Sequence, residues 1–64
     1  MRVNGAIIAL DKSHTLYDFL KSQGYDISTI AIELNGEIIP KADYEDVILS
    51  DEAAMEIVRF VGGG

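Results

Sequence analysis

The chain has no cysteine, no tryptophan, one histidine and one proline. Each scarcity removes a class of answer. Without Cys, and with His14 as the lone imidazole, the donor sets of zinc fingers, haem and iron–sulfur sites cannot be assembled. Nor can a disulfide or structural metal staple the fold, the usual aid for so short a chain. Basic residues are also few: five Lys and Arg stand against eleven Asp and Glu, for a formal charge of −6. Binding to nucleic acid or to an anionic membrane rests on Lys and Arg, so both are disfavoured as partners. No apolar run approaches the roughly 20 residues of a membrane span. The segment Met1-Arg2-Val3-Asn4-Gly5 has no signal-peptide pattern and enters structure at once, so a cytoplasmic location is expected. At 64 residues the chain makes one domain, and stability must come from its 48% apolar content. A chain of this size buries only about 60% of its unfolded surface.

The signals that are present are local and clear. Asn4-Gly5 and Asn35-Gly36 are hairpin dipeptides, because a type I′ turn needs φ > 0 at both central residues. The first joins Met1–Val3 to Ala6–Leu10. The second joins Ile30–Leu34, where large apolar residues alternate, to Glu37–Ile39, which Pro40 stops or marks as an edge. Between the hairpins a helix is expected over Leu16–Gln23. Thr15 is its N-cap, with Asp18 completing a weakened capping box. Leu16, Phe19 and Leu20 form its buried face, and Gly24 is its C′ residue with Tyr25 following. Lys41–Asp46 reads as a polar loop with one helical turn, and Val47–Leu49 as a brief strand or buried connection. Met55–Val61 is the last strand, parallel to the first at the centre of the sheet. The expected fold class is α+β, a mixed four- to five-stranded sheet with one main helix packed across it. Residues 1–61 form the domain and 62–64 a flexible glycine tail. Tyr17, Tyr25 and Tyr44 suit the edges of the core.

Catalytic constellations are missing. His14 beside Ser13 reads as an exposed loop residue, since adjacent residues seldom make a nucleophile–base pair. Glu45-Asp46 and Asp51-Glu52 read as a solvated surface without the buried, split environment of acid–base pairs. A phosphate-binding loop must open a helix and carry a Lys, whereas Gly62-Gly63-Gly64 close the chain. The chain is therefore not expected to be an enzyme.

That terminus has plain readings: a frayed end, a cloning remnant or a linker. It also has a chemical one. A tail without Cβ atoms threads a channel too narrow for side chains, and three residues reach at most roughly 10 Å. A terminal carboxylate delivered into a partner's site can be activated by ATP as an acyl-adenylate and converted to a thiocarboxylate, a sulfur donor. Along the last strand, Met55 and Ile57 face the core, and Glu56, Val58 and Phe60 the opposite side. Val58 and Phe60 are either ordinary packing or a docking patch. Arg59 pairs with a partner's acid or one of the chain's own.

The element order ending in Gly-Gly resembles the β-grasp (ubiquitin-like) fold. More closely, the chain resembles the ThiS family of sulfur carriers in thiamine biosynthesis. The resemblance covers essentially the whole chain and is most specific at Ile32-Glu33-Leu34-Asn35-Gly36-Glu37-Ile38-Ile39-Pro40 and at Glu56-Ile57-Val58-Arg59-Phe60-Val61-Gly62-Gly63-Gly64. Thr15-Leu16-Tyr17-Asp18-Phe19-Leu20 supports it. The resemblance implies that Gly64 is adenylated by a ubiquitin-activating-like (ThiF-type) adenylyltransferase using ATP and magnesium, with no cofactor bound by the carrier itself. A donor such as a cysteine desulfurase supplies sulfur, and the thiocarboxylate passes it to thiazole synthase (ThiG-type). Gly62 and Gly63 would thread the channel, with Val58, Arg59 and Phe60 docking. One departure concerns the turn before the last strand. The family commonly has an Asp-Gly-Asp-type turn there, where this chain has Asp51-Glu52-Ala53-Ala54. Alternative readings with the same terminus are the small sulfur-carrier subunit of molybdopterin synthase and a ubiquitin-like modifier of lysines. A fold shared by many functions does not choose among them.

Overall fold

The computed structural model describes residues 1–10 and 14–60. In chain order these form β1 (Arg2–Val3), β2 (Ala6–Ile7), α1 (Leu16–Ser22), a 3₁₀ turn (Ile27–Thr29), β3 (Ile30–Leu34), β4 (Glu37–Ile39), a second 3₁₀ turn (Lys41–Asp43) and β5 (Ala54–Arg59). The sheet order is β2-β1-β5-β3-β4. β5 occupies the centre, parallel to β1 and antiparallel to β3, as expected, and the short hairpin strands form both edges.

Both asparagine–glycine pairs turn as predicted. Asn4 and Gly5 have φ of 50° and 85°, and Asn35 and Gly36 have 51° and 88°. Their side chains add something further. Asn4 Oδ1 accepts from Ile57 N–H at 2.7 Å, and its Nδ2 donates to the Ile57 carbonyl at 3.3 Å. Asn35 Oδ1 accepts from Ala54 N–H at 3.0 Å. Each turn therefore ties its hairpin to the central strand, and Asn4 carries β1-type pairing one position past the end of β1.

α1 is capped at both ends. Thr15 Oγ1 accepts from Asp18 N–H at 3.0 Å, the Thr half of the capping box. At the other end Gly24 (φ 82°) donates to Lys21 O and Tyr25 N–H donates to Leu20 O, the paired bonds of a Schellman motif. The helix ends at Ser22, with Gln23 as its cap. Its Leu16, Phe19 and Leu20 pack with Val3, Ile30, Ile32, Met55 and Ile57 in one core.

Four expectations are corrected. Pairing of β2 stops early: after Ile7 the ladder closes where Ile8 N–H donates to Met1 O and the Met1 ammonium donates to Ile8 O, so Ala9 and Leu10 belong to the connection. β5 runs from Ala54 rather than Met55, because Arg2 pairs with Ala54, and ends at Arg59; Val61 lies outside the described residues. Tyr44 is not at the edge of the core but 1% exposed within it. The second 3₁₀ turn points it inward, and its carbonyl accepts from Tyr17 N–H at 3.0 Å. His14 is half-buried rather than exposed, because its carbonyl accepts from Leu49 N–H at 2.8 Å and ties it to the returning chain.

The remaining loops settle as connections. Val47–Leu49 crosses the start of α1 with an isolated bridge between Thr15 and Ile48. Asp51–Ala54 closes with Ala53 N–H on Ser50 O at 3.1 Å and no positive φ, so that turn has no need of a glycine.

Candidate functional site: the open sheet face and the root of the tail

The helix covers one face of the sheet and leaves the other open. Alternation along β5 places Met55 and Ile57 in the core, at 2% and 9% exposure, and Val58 and Phe60 outside, at 54% and 44%. Ile38 of β4 joins them on the open face at 68%. Between these apolar residues lie two carboxylates, because Glu33 is the cross-strand partner of both Ile38 and Glu56. Val58 is likewise paired with Ala31. Exposed apolar side chains grouped on one face mark contact surfaces more often than chance scatter does.

At the end of β5 the chain is held up to Phe60, whose N–H donates to Thr29 O at 2.9 Å. Asp26 caps the turn that presents Thr29. Its Oδ1 accepts from Ser28 Oγ at 2.7 Å and from Ser28 N–H at 3.1 Å. Those two bonds, aided by Lys21 and Lys41, hold the Asp26 carboxyl below its ordinary range. Lys41 Nζ lies 5.3 Å from the Phe60 ring centroid. The Arg59 guanidinium lies 5.9 Å from the centre of the Tyr25 ring, within cation–π range.

Val58 and Phe60 thus share the open face, whereas Arg59 alternates to the helix side. Its neighbour is an aromatic ring rather than a carboxylate. Lys41, arriving from the second 3₁₀ turn, is a second cation at this strand end. Sequence reasoning missed Lys41 because no local pattern links it to Phe60. It missed the Glu33–Glu56 juxtaposition because that depends on the β3–β5 register. Gly62, Gly63 and Gly64 lie outside the described residues.

Among the described residues no group of three or more Asp, Glu or His could hold a metal. One surface depression borders the β1–β2 end of the sheet, beside Arg2, Ile7, Asp51 and Ala54, and another lies beside Leu10, His14 and Phe19. No helix of the described residues is long and apolar enough to cross a membrane. What the arrangement offers is a partly apolar face leading to a strand end.

The model of the ThiS family matches residues 1–64. The chain belongs to the ThiS family. A full-length relative agrees: this ThiS-family chain is 38% identical over 65 residues to the sulfur carrier protein ThiS of Bacillus subtilis (strain 168), covering all of this chain and 98% of that one. It is also 39% identical over 62 residues to a thiazole synthase of Paramagnetospirillum magneticum, covering 97% of this chain and 19% of that protein. The chain thus spans about a fifth of the length of the thiazole synthases it matches. Among solved structures, the crystal structure of the thiamine biosynthesis protein ThiS from Geobacter metallireducens superposes with a TM-score of 0.83 at 27% identity, over 98% of this chain and 96% of that one. The fold is accordingly the ubiquitin-like β-grasp.

Proposed function

We propose that this ThiS-family chain is a sulfur carrier for assembly of the thiazole ring of thiamine, and not itself an enzyme. Its reactive group is the Gly64 carboxylate. A ThiF-type adenylyltransferase, using magnesium-ATP, joins that carboxylate to AMP and releases pyrophosphate. A persulfide carried by a donor such as a cysteine desulfurase then attacks the acyl-adenylate and displaces AMP, and a thiol reductant cleaves the resulting acyl disulfide to leave the thiocarboxylate. Thiazole synthase takes the sulfur, and the terminus returns to the carboxylate. The carrier supplies an address and a delivery arm, and its partners supply the chemistry.

The observation that carries this reading is the end-to-end correspondence with a sulfur carrier protein in a chain that finishes in Gly62-Gly63-Gly64. The physical argument agrees with it. A three-glycine arm offers no side chain to a narrow channel, and Phe60 is held to Thr29 just before it. Val58 and Phe60 contact the partner through the open face, and Arg59 flanks the root from the helix side. The thiazole synthase relatives favour the thiamine branch over the molybdopterin one. They carry a segment like this chain within a longer protein, which suits a carrier that must meet that enzyme.

The test is adenylation followed by delivery. With a ThiF-type enzyme, the full chain should support exchange of label between pyrophosphate and ATP, and a chain lacking Gly64 should not. The thiocarboxylate form, presented to thiazole synthase with its other substrates, should yield thiazole where the carboxylate form does not. Equal exchange with and without Gly64 contradicts the reading.

A further inference from the structure

The ladder between β5 and β3 ends where Arg59 stands opposite Ile30, yet the chain is held one residue further. The Phe60 N–H donates to Thr29 O at 2.9 Å, and Lys41 Nζ lies 5.3 Å from the centre of the Phe60 ring. The lysine and the ring do not come from neighbouring strands. Lys41 follows β4, Phe60 follows β5, and β3 lies between those strands. The lysine side chain therefore reaches past the start of β3 to the root of the tail. Adjacent strands are about 4.8 Å apart, so a short side chain in that place would not make the contact.

The backbone that carries Lys41 is fixed as well. Pro40 enters the turn at φ −63°. Asp43 N–H donates to Pro40 O at 2.9 Å, and Tyr44 N–H donates to Lys41 O at 3.2 Å. Tyr44, which closes the turn, is buried in the core. An exposed lysine is thus carried on a core-anchored turn, with its ammonium over the residue at the root of the tail. Ordering a lysine costs side-chain entropy. The ring it orders on is itself largely exposed, so the contact adds little to the core. Its use lies in what it does to Phe60.

We propose that Lys41 is a positioning residue for adenylation: by stacking on Phe60 it fixes the root of the glycine tail before the ThiF-type enzyme binds. The inference rests on the carrier reading given above and adds a residue to it. An arm of three glycines reaches only roughly 10 Å, so any wandering of its root is carried on to the carboxylate. A root ordered in advance leaves less freedom to be lost on binding. That gain is the same in the bound ground state and in the transition state, so it appears in KM and not in kcat. The role calls for a cation and not merely for bulk, because the face of an aromatic ring attracts positive charge.

The test compares the full chain with four variants. Lys41→Met keeps the stem and removes the charge, and Lys41→Arg keeps the charge. Phe60→Leu keeps an apolar side chain and removes the ring, and the fourth variant combines Lys41→Met with Phe60→Leu. Exchange of label between pyrophosphate and ATP gives KM and kcat for the carrier with a ThiF-type enzyme. Proton NMR of the free chain reads the contact by itself. In the parent, the ring of Phe60 should shift the Lys41 ε-methylene resonances upfield, and Phe60→Leu should remove that shift. Lys41→Met should raise KM roughly two- to fivefold, the worth of an exposed cation–π contact, with kcat and melting temperature unchanged. Lys41→Arg should restore the parental KM. In the Phe60→Leu background, Lys41→Met should add nothing.

A parental KM for Lys41→Met overturns the inference while the carrier reading stands. Unshifted Lys41 resonances in the parent overturn it too. So does an equal rise in KM from Lys41→Met with and without the ring, because the lysine would then meet the enzyme directly. A lowered melting temperature for Lys41→Met also overturns it, since the contact would then be structural. A parent that an active enzyme does not adenylate refutes the carrier reading and takes this inference with it.

Discussion

Asn4 shows how much one residue can do in so small a protein. Its backbone adopts φ 50° and its side chain holds both polar groups of Ile57. Asn4→Gly keeps the turn and removes the clamp, leaving the Ile57 N–H without its partner. A loss of about 1–3 kcal/mol in urea unfolding is expected, and an unchanged midpoint would show that the clamp contributes nothing. Phe60 makes the opposite case. Its ring is 44% exposed, so Phe60→Ala should cost under about 1 kcal/mol of stability while weakening partner binding. A large fall in melting temperature would instead place the ring among the core contacts. For Gly63 the prediction is steric: Gly63→Leu should abolish adenylation and leave the melting temperature as it was, and normal turnover would refute a narrow channel.

Among the elements, the hairpins and the helix were readable from sequence because each is specified locally. Asn-Gly demands a turn, Thr15 and Gly24 bracket a helix, and Ile30, Ile32 and Leu34 alternate. What was not readable depends on partners distant in the chain. The early end of β2 follows from where Met1 meets Ile8, and the burial of Tyr44 follows from how the second 3₁₀ turn meets the helix. The same holds for the site. The outward positions of Val58 and Phe60 follow from strand alternation, whereas Lys41 over Phe60 and Glu33 against Glu56 follow from topology.

The caps make their own prediction. Gly24 sits at φ 82°, so Gly24→Ala should destabilise by about 1–2 kcal/mol despite the open space around it. The turn capped by Asp26 responds to acid. Its carboxyl titrates below the ordinary 3.8, so its contribution is present above that pH and is lost as pH falls through the lowered value. Asp26→Asn should flatten that part of the acid limb.

For the molecule as a whole, a domain of 64 residues is expected to have roughly 3–10 kcal/mol of stability. Leu20 is fully buried, and Leu20→Ala should cost about 2–5 kcal/mol, a large share of that margin. At the alkaline end, burial raises the Tyr44 hydroxyl above its usual 10, partly offset by a hydrogen bond with the Ile32 backbone. The neutral form is thus favoured in the fold. That stability is intact below pH 10 and is lost as pH rises through the raised value, a loss that Tyr44→Phe should remove. A narrow stability margin also explains the division of labour proposed for this chain. Its sheet and helix hold the last strand still, and the chemistry is left to a terminus that needs no pocket.

The most direct test of that division is intact-mass spectrometry of the chain after incubation with a ThiF-type enzyme, magnesium-ATP and a sulfide source. The account predicts a species in which one oxygen is replaced by sulfur, localised by fragmentation to Gly64. An active enzyme that leaves the mass unchanged, with neither adenylate nor thiocarboxylate formed, would contradict it.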